Sequence, residues 1–131
     1  MTEDYAGRKK EYIEALEQEK DPRRQLELIG AMGINASMLG EAIGSEPEEV
    51  ESILNGREVD LNPYESAIDT LKSVSLFLLK RGTLGPIQVG LWLAEPDIVL
   101  GGTPLSALRE EGGIDAILAA STTFTRPEPL R

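Results

Sequence analysis

Three features of the sequence predict an all-α fold. Apolar residues recur at three- and four-residue spacing in one segment after another. Glycine, proline and Asn/Asp residues stand where helices would start or stop. No hairpin dipeptide is flanked by alternating β-branched residues, so the strand signal is weak throughout. The architecture expected is a helix-turn-helix bundle followed by a small C-terminal helical unit. Along the chain this divides into a charged N-terminal helix over 1–20, a helix-turn-helix region over 21–61, a back unit over 62–120 and a tail over 121–131.

Residues 3–20 are densely charged, with Tyr5, Tyr12, Ile13 and Leu16 forming a narrow apolar stripe, which predicts one mostly exposed helix. Asp21-Pro22 then supplies a cap followed by a proline at the first helical position, and Leu26, Ile29 and Met32 recur on one side until Gly33. Asn35 caps a short helix to Ile43, with Ile34 placed to pack on Leu39 across the cap and Gly44 to end it. Ser45 followed by Glu48 fits a capping box for a helix through Val50, Ile53 and Leu54, which Asn55-Gly56 terminates. Two short helices about a tight, glycine-containing turn form a helix-turn-helix unit.

Asn62-Pro63 starts a longer helix through Arg81, with Ala67, Ile68, Leu71, Val74, Leu78 and Leu79 at core spacing and Gly82 closing it. Leu76 and Phe77 widen its apolar face. A face this wide predicts burial on two sides, bridging the front and back halves, or a surface for homo-oligomerisation. Residues 84–93 form another apolar segment ending in Trp92-Leu93, followed by a breaker-rich loop over 94–103. Pro104 opens a helix with Leu105 and Leu108 facing inward, Gly112-Gly113 breaks it, and residues 114–120 make a last short helix. Residues 121–131 hold two prolines and one aromatic and are expected to form a tail that orders only on binding.

At 131 residues the chain can bury a core without staples. It has no Cys and no His, which removes thiolate nucleophiles, zinc fingers and imidazole proton transfer. The paired carboxylates Glu48-Glu49 and Glu110-Glu111 diverge by about 100° on a helix and cannot straddle a substrate. Gly82-Thr83-Leu84-Gly85 and Gly101-Gly102 are too short for a nucleotide-binding fingerprint. A non-catalytic protein without metal or cofactor is expected. With 13 Lys and Arg against 23 Asp and Glu, the net charge of −10 repels phosphate backbones and favours solubility or a basic partner. The apolar runs over 74–79 and 87–94 fall short of the roughly 20 residues a membrane span needs. The N-terminus is acidic where a signal peptide would be basic, so a cytoplasmic chain with no membrane partner is expected.

The stretch 25–56, notably Leu39-Gly40-Glu41-Ala42-Ile43-Gly44-Ser45 and Val50-Glu51-Ser52-Ile53-Leu54-Asn55-Gly56, resembles the Xre/Cro-like repressors. The resemblance implies that the second helix of the pair enters the major groove, with Ser52, Asn55 and Arg57 as its DNA-facing side chains. Between Ile34 and Asp60, however, Glu41, Glu46, Glu48, Glu49, Glu51, Glu58 and Asp60 oppose Arg57 alone. That balance weakens binding through phosphate repulsion and leaves two readings, weak operator binding or a helix pair kept as scaffold. Arg8, Lys9, Lys10, Lys20, Arg23 and Arg24 lie in the first two helices among glutamates, the pattern of a solvated helix face.

The back half carries the longer pattern: Trp92-Leu93, a proline-containing loop, Leu100-Gly101-Gly102, then Thr103-Pro104-Leu105 and Leu108. In order and spacing it is similar to the toxin-binding domain of the antitoxin Xre/MbcA/ParS family, over about residues 62–120. Physically, Trp92 is the largest apolar anchor, Gly101-Gly102 allow positive backbone angles and Pro104 presets a helix. The resemblance implies a type II antitoxin that occludes the active site of a RES-domain, NAD-consuming toxin. Leu100, Gly101, Gly102, Thr103, Pro104, Leu105, Phe124 and Arg126 are then the expected toxin-facing residues, with Trp92 a structural anchor. A homo-oligomer, or a hetero-oligomer with the toxin, is the expected assembly. The alternative is an Xre-like transcriptional regulator without a toxin partner.

Overall fold

A computed structural model of the chain describes residues 5–98 and 100–125. The elements run α1 (Tyr5–Gln18), α2 (Pro22–Gly30), α3 (Ala36–Ile43), α4 (Pro47–Leu54), a 3-10 turn (Asn62–Tyr64), α5 (Glu65–Arg81), α6 (Pro86–Ala94), α7 (Pro104–Ala107), α8 (Gly113–Ala120) and a second 3-10 turn (Ser121–Thr123). The described residues form no strand, only the isolated bridges Gly82 to Thr125 and Asp97 to Gly102, so the fold is all-α. None of their helices is long and apolar enough to cross a membrane.

Local chemistry sets the front of the bundle. The Asp21 carboxylate accepts from the Arg23 amide at 3.1 Å, with Pro22 at the first helical position, and Asn35 Oδ1 accepts from the Met38 amide at 2.9 Å. Gly33, Gly44 and Gly56 take positive φ where α2, α3 and α4 end. The Ser45–Glu48 capping box does not form. Glu46 is the cap residue of α4, without a side-chain bond, and Pro47 holds the first position. The Ser45 hydroxyl donates to the Glu46 carbonyl instead, at 3.1 Å. Proline fixes the helical φ and lacks the amide a cap would satisfy, so it moves the helix start one residue past the serine.

The core is one continuous set of side chains. Leu16, Leu26, Ile29, Met32, Leu39, Ile53, Ile68, Leu71, Leu78, Leu93, Leu105 and Ile117 are all fully buried in it, so it spans every expected segment boundary from the first helix to the last. α5 is its axis and packs against α1, α2, α3 and α6. α1 is less exposed than its composition predicts. Leu16 is fully buried, Tyr12 donates to the Leu28 carbonyl, and Lys80 pairs with Glu17. Gln25 and Lys72 donate to the Glu19 carbonyl at 2.7 and 3.0 Å, closing the C-terminal end of α1. Lys9 reaches the Gly82 carbonyl at 3.1 Å, where partial burial holds its ammonium below the usual pKa.

The C-terminal segment differs from expectation as well. Residues 121–125 are part of the packed fold: Thr125 bridges Gly82, and the Phe124 ring meets Trp92 edge-on at 5.1 Å. Gly82 is extended at φ −104, and a Cβ there would meet the Leu78 carbonyl at 2.7 Å and Phe124 at 3.2 Å. The aromatic that marks a binding tail in the sequence is held instead by a second aromatic and a glycine. Residues 126–131, and with them Arg126, lie outside the described residues.

Candidate protein-binding site

α6 delivers Trp92 half-buried at its C-terminal end, and the chain leaves the helix extended at Glu95. Asp97 then organises a tight turn. Its amide donates to the Gly102 carbonyl at 2.9 Å, its carbonyl accepts from the Gly101 amide at 2.9 Å, and its Oδ1 lies 3.4 Å from the Leu100 amide. The side chain thus reinforces a turn that the backbone also closes, a standard use of aspartate. Gly101 has φ +75 and Gly102 does not share the positive angle, so one glycine of the pair is required by backbone conformation. Thr103 caps α7, its Oγ1 accepting from the Ser106 amide at 3.1 Å while Ser106 Oγ donates back to the Thr103 carbonyl at 2.8 Å.

The expected toxin-facing residues separate into two groups. Leu100, Gly102 and Thr103 are half-buried and Gly101 is exposed, so these four line the turn. Pro104 and Leu105 are buried, with Leu105 fully so, and they hold α7 in the core rather than forming surface. Phe124 is half-buried against Trp92. Ile98, in the same turn, is 98 % exposed and is not among the residues expected from the sequence. Its signal was available, since an isoleucine directly after a turn-forming aspartate has no helical partner at three or four residues' distance. A second apolar feature is an open groove of about 310 Å³ between α5 and α8, lined by Asp69, Val74, Phe77, Ile114 and Leu118 among others. Arg81 lies over the Phe77 ring at 5.5 Å.

On the other side, α3 and α4 pack together across the turn at Gly44, Ser45 and Glu46. Arg23 from α2 donates to the Ile53 carbonyl at 3.1 Å and the Arg57 carbonyl at 3.0 Å, fixing the C-terminal end of α4 with a cation where the helix dipole favours one. The Arg109 guanidinium lies over Gly44, where a Cβ would come within 2.8 Å of Cζ. Of the expected DNA-facing residues, Asn55 and Arg57 are exposed and Ser52 is half-buried. Glu48 and Glu51 are exposed on the same short helix. Tyr64 donates to Glu49 at 2.6 Å, and that hydrogen bond to a carboxylate raises the phenol above its usual pKa.

The described residues contain no group of three or more Asp or Glu placed to hold a metal ion. Of the two faces, one is apolar at its exposed tip, Ile98, and the other carries the exposed carboxylates Glu48 and Glu51. Compared with protein-family models, with curated proteins and with solved structures, the chain finds no match in any of the three.

Proposed function

We propose that this chain is a type II antitoxin, a non-catalytic binding protein that neutralises a RES-domain, NAD-consuming toxin by covering its active site. The observation that carries the reading is the turn over residues 97–102. It is closed by two backbone hydrogen bonds, Asp97 amide to Gly102 carbonyl and Gly101 amide to Asp97 carbonyl, and it carries an isoleucine that is 98 % exposed. A large aliphatic side chain left exposed beside a hydrogen-bonded turn has the character of an interface anchor. The sequence pattern from Trp92 to Leu108 supplies the identity of the partner class. Charge supports it, because a surface at −10 suits a cleft built to hold NAD phosphates and speeds encounter with it. Operator binding is the weaker part of the proposal, with Ser52, Asn55 and Arg57 set beside exposed Glu48 and Glu51.

The test is affinity capture of the tagged full chain from nuclease-treated lysate of its source cell, followed by assay of NAD consumption by the captured protein. The reading expects a stoichiometric NAD-consuming enzyme that is inhibited by the wild-type chain and at least about tenfold less well by an Ile98→Asp variant, since one central anchor carries that much or more. A captured protein without NAD-consuming activity rejects the toxin class. Recovery of one defined DNA fragment from untreated lysate, with no protein enriched, replaces the antitoxin by the transcriptional regulator.

A further inference from the structure

Three of the chain's five lysines, Lys9, Lys10 and Lys80, line one open cleft of about 430 Å³ between α1 and the C-terminal end of α5. The acidic groups in the same lining are Glu14 and Glu17, and Glu17 is paired with Lys80. The cleft therefore holds three ammonium groups against two carboxylates in a chain whose net charge is −10. Lys9 differs from its neighbours in how it is held. It is half-buried, its Nζ donates to the Gly82 carbonyl at 3.1 Å, and among the described residues no carboxylate pairs with it. Lys10, by contrast, is exposed. An ammonium placed as Lys9 is has lost part of its water without gaining a counter-charge, while a neutral amine still has an N–H for the carbonyl. Burial accordingly lowers the Lys9 pKa. At a given pH a larger share of Lys9 than of an ordinary lysine carries a free lone pair, and that is the form that attacks a carbonyl carbon.

Lys10 and Lys80 fix the kind of electrophile. An anionic donor is repelled by the carboxylates that dominate this surface, but in the cleft it meets two ammonium groups beside the half-buried amine. The opening admits a small molecule directly from solvent. We infer that Lys9 is an acylation site for small acyl phosphates, whose phosphate Lys10 and Lys80 draw to the Lys9 amine. The Lys9 nitrogen lone pair forms a bond to the acyl carbon, and the bond from that carbon to the phosphate oxygen breaks. Phosphate leaves with the electron pair, and the surplus proton on the nitrogen passes to water. The amide product keeps one N–H and loses the charge, so acylation removes the cation that α1 sets on the Gly82 carbonyl, beside the bridge from Gly82 to Thr125. None of these residues belongs to the 97–102 turn or to α4, so the site is separate from the partner surfaces described above.

The test treats the purified full chain with acetyl phosphate at pH 8 and reads initial rates at all five lysines by mass spectrometry after glutamyl endopeptidase digestion, a cleavage that lysine acetylation does not block. Lys20, exposed and outside the cleft, is the internal reference. Lys9 is expected to react at least about threefold faster than Lys20. With phenyl acetate, an uncharged donor, the Lys9 to Lys20 ratio should fall, because Lys10 and Lys80 draw only the phosphate. Lys10→Gln removes an exposed ammonium that makes no hydrogen bond in the fold, so the variant should keep its helical circular dichroism. It should slow Lys9 acetylation by acetyl phosphate at least about twofold, and by more than it slows the reaction with phenyl acetate. Lys9 reacting no faster than Lys20, a ratio equal for the two donors, or an acetyl phosphate rate unchanged by Lys10→Gln overturns the inference.

Discussion

Gly101 and Gly102 look equivalent in the sequence and are not equivalent in the backbone. Gly101 has φ +75 with open space where its Cβ would be, whereas Gly102 lies outside the positive-φ region with Ser106 Oγ 3.4 Å from its Cβ position. Gly90 is a third case, with an ordinary φ and a carbonyl 2.1 Å from any Cβ. The three alanine variants should therefore rank in urea denaturation. Gly102→Ala is expected within about 0.5 kcal/mol of wild type, since neither strain nor clash arises. Gly101→Ala should lose about 1–2 kcal/mol to the left-handed conformation. Gly90→Ala should lose about 2–4 kcal/mol, because α6 must move off the α2–α3 connection to admit a methyl group. Equal losses for Gly101 and Gly102 would contradict the geometry of the turn. A glycine pair announces a turn, but which member needs the positive angle depends on the hydrogen bonds that close it, and sequence alone does not contain them. The same holds for Ile98 against Pro104 and Leu105, which flank the glycine pair and are opposite in burial.

Among the elements, α2 and α3 lie where their spacing and caps place them, because Asp21-Pro22, Asn35 and Gly44 act through bonds only a few residues long. By contrast, α4 starts at Pro47 with Glu46 as its cap residue, and Asn62-Pro63 forms a 3-10 turn ahead of α5. Elements whose position depends on distant partners were less legible. α1 reads as a solvated helix from its charges, yet its burial follows from Lys72, Lys80 and Gly82, more than fifty residues away. Phe124 reads as a mobile anchor because nothing near it in sequence says that Trp92 will meet it. The start signals the sequence offers for α3 and for α4 give a clean comparison. Asn35→Ala removes a formed cap and should lower stability by about 1 kcal/mol, whereas Ser45→Ala removes a hydroxyl that caps nothing on α4 and should cost less than about 0.5 kcal/mol. Thermal melts of the two variants at one pH check the contrast. A loss at Ser45 as large as at Asn35 would mean that the capping box forms in solution.

For the molecule as a whole, the decisive feature is that one core joins the front helices to the back ones, with α5 as the shared wall. A ligand at the 97–102 turn therefore binds a body continuous with the acidic α4 face rather than an appended module. Such a core should unfold in one transition, so Trp92 fluorescence and far-UV circular dichroism report the same equilibrium. The alkaline limit of that equilibrium is set in part by Tyr12. Burial between α1 and α2 raises its phenol well above the usual pKa, and its hydroxyl donates to the Leu28 carbonyl. The folded-state pKa therefore lies above the unfolded one, and the unfolded chain releases this proton first. Stability from neutral Tyr12 is complete below about pH 10 and falls as pH rises beyond it, by at most about 1.4 kcal/mol per pH unit. Tyr12→Phe should be less stable than wild type at pH 8, by about 1 kcal/mol for the lost hydrogen bond. Between pH 10 and 11 it should lose stability less steeply, so that the two curves converge. Lys9, whose pKa is lowered on folding, contributes with the opposite slope, an effect common to the two proteins that cancels in the difference. Urea denaturation followed by Trp92 fluorescence from pH 8 to pH 11 measures it, and parallel curves would show that Tyr12 ionises as freely in the folded chain as in the unfolded one.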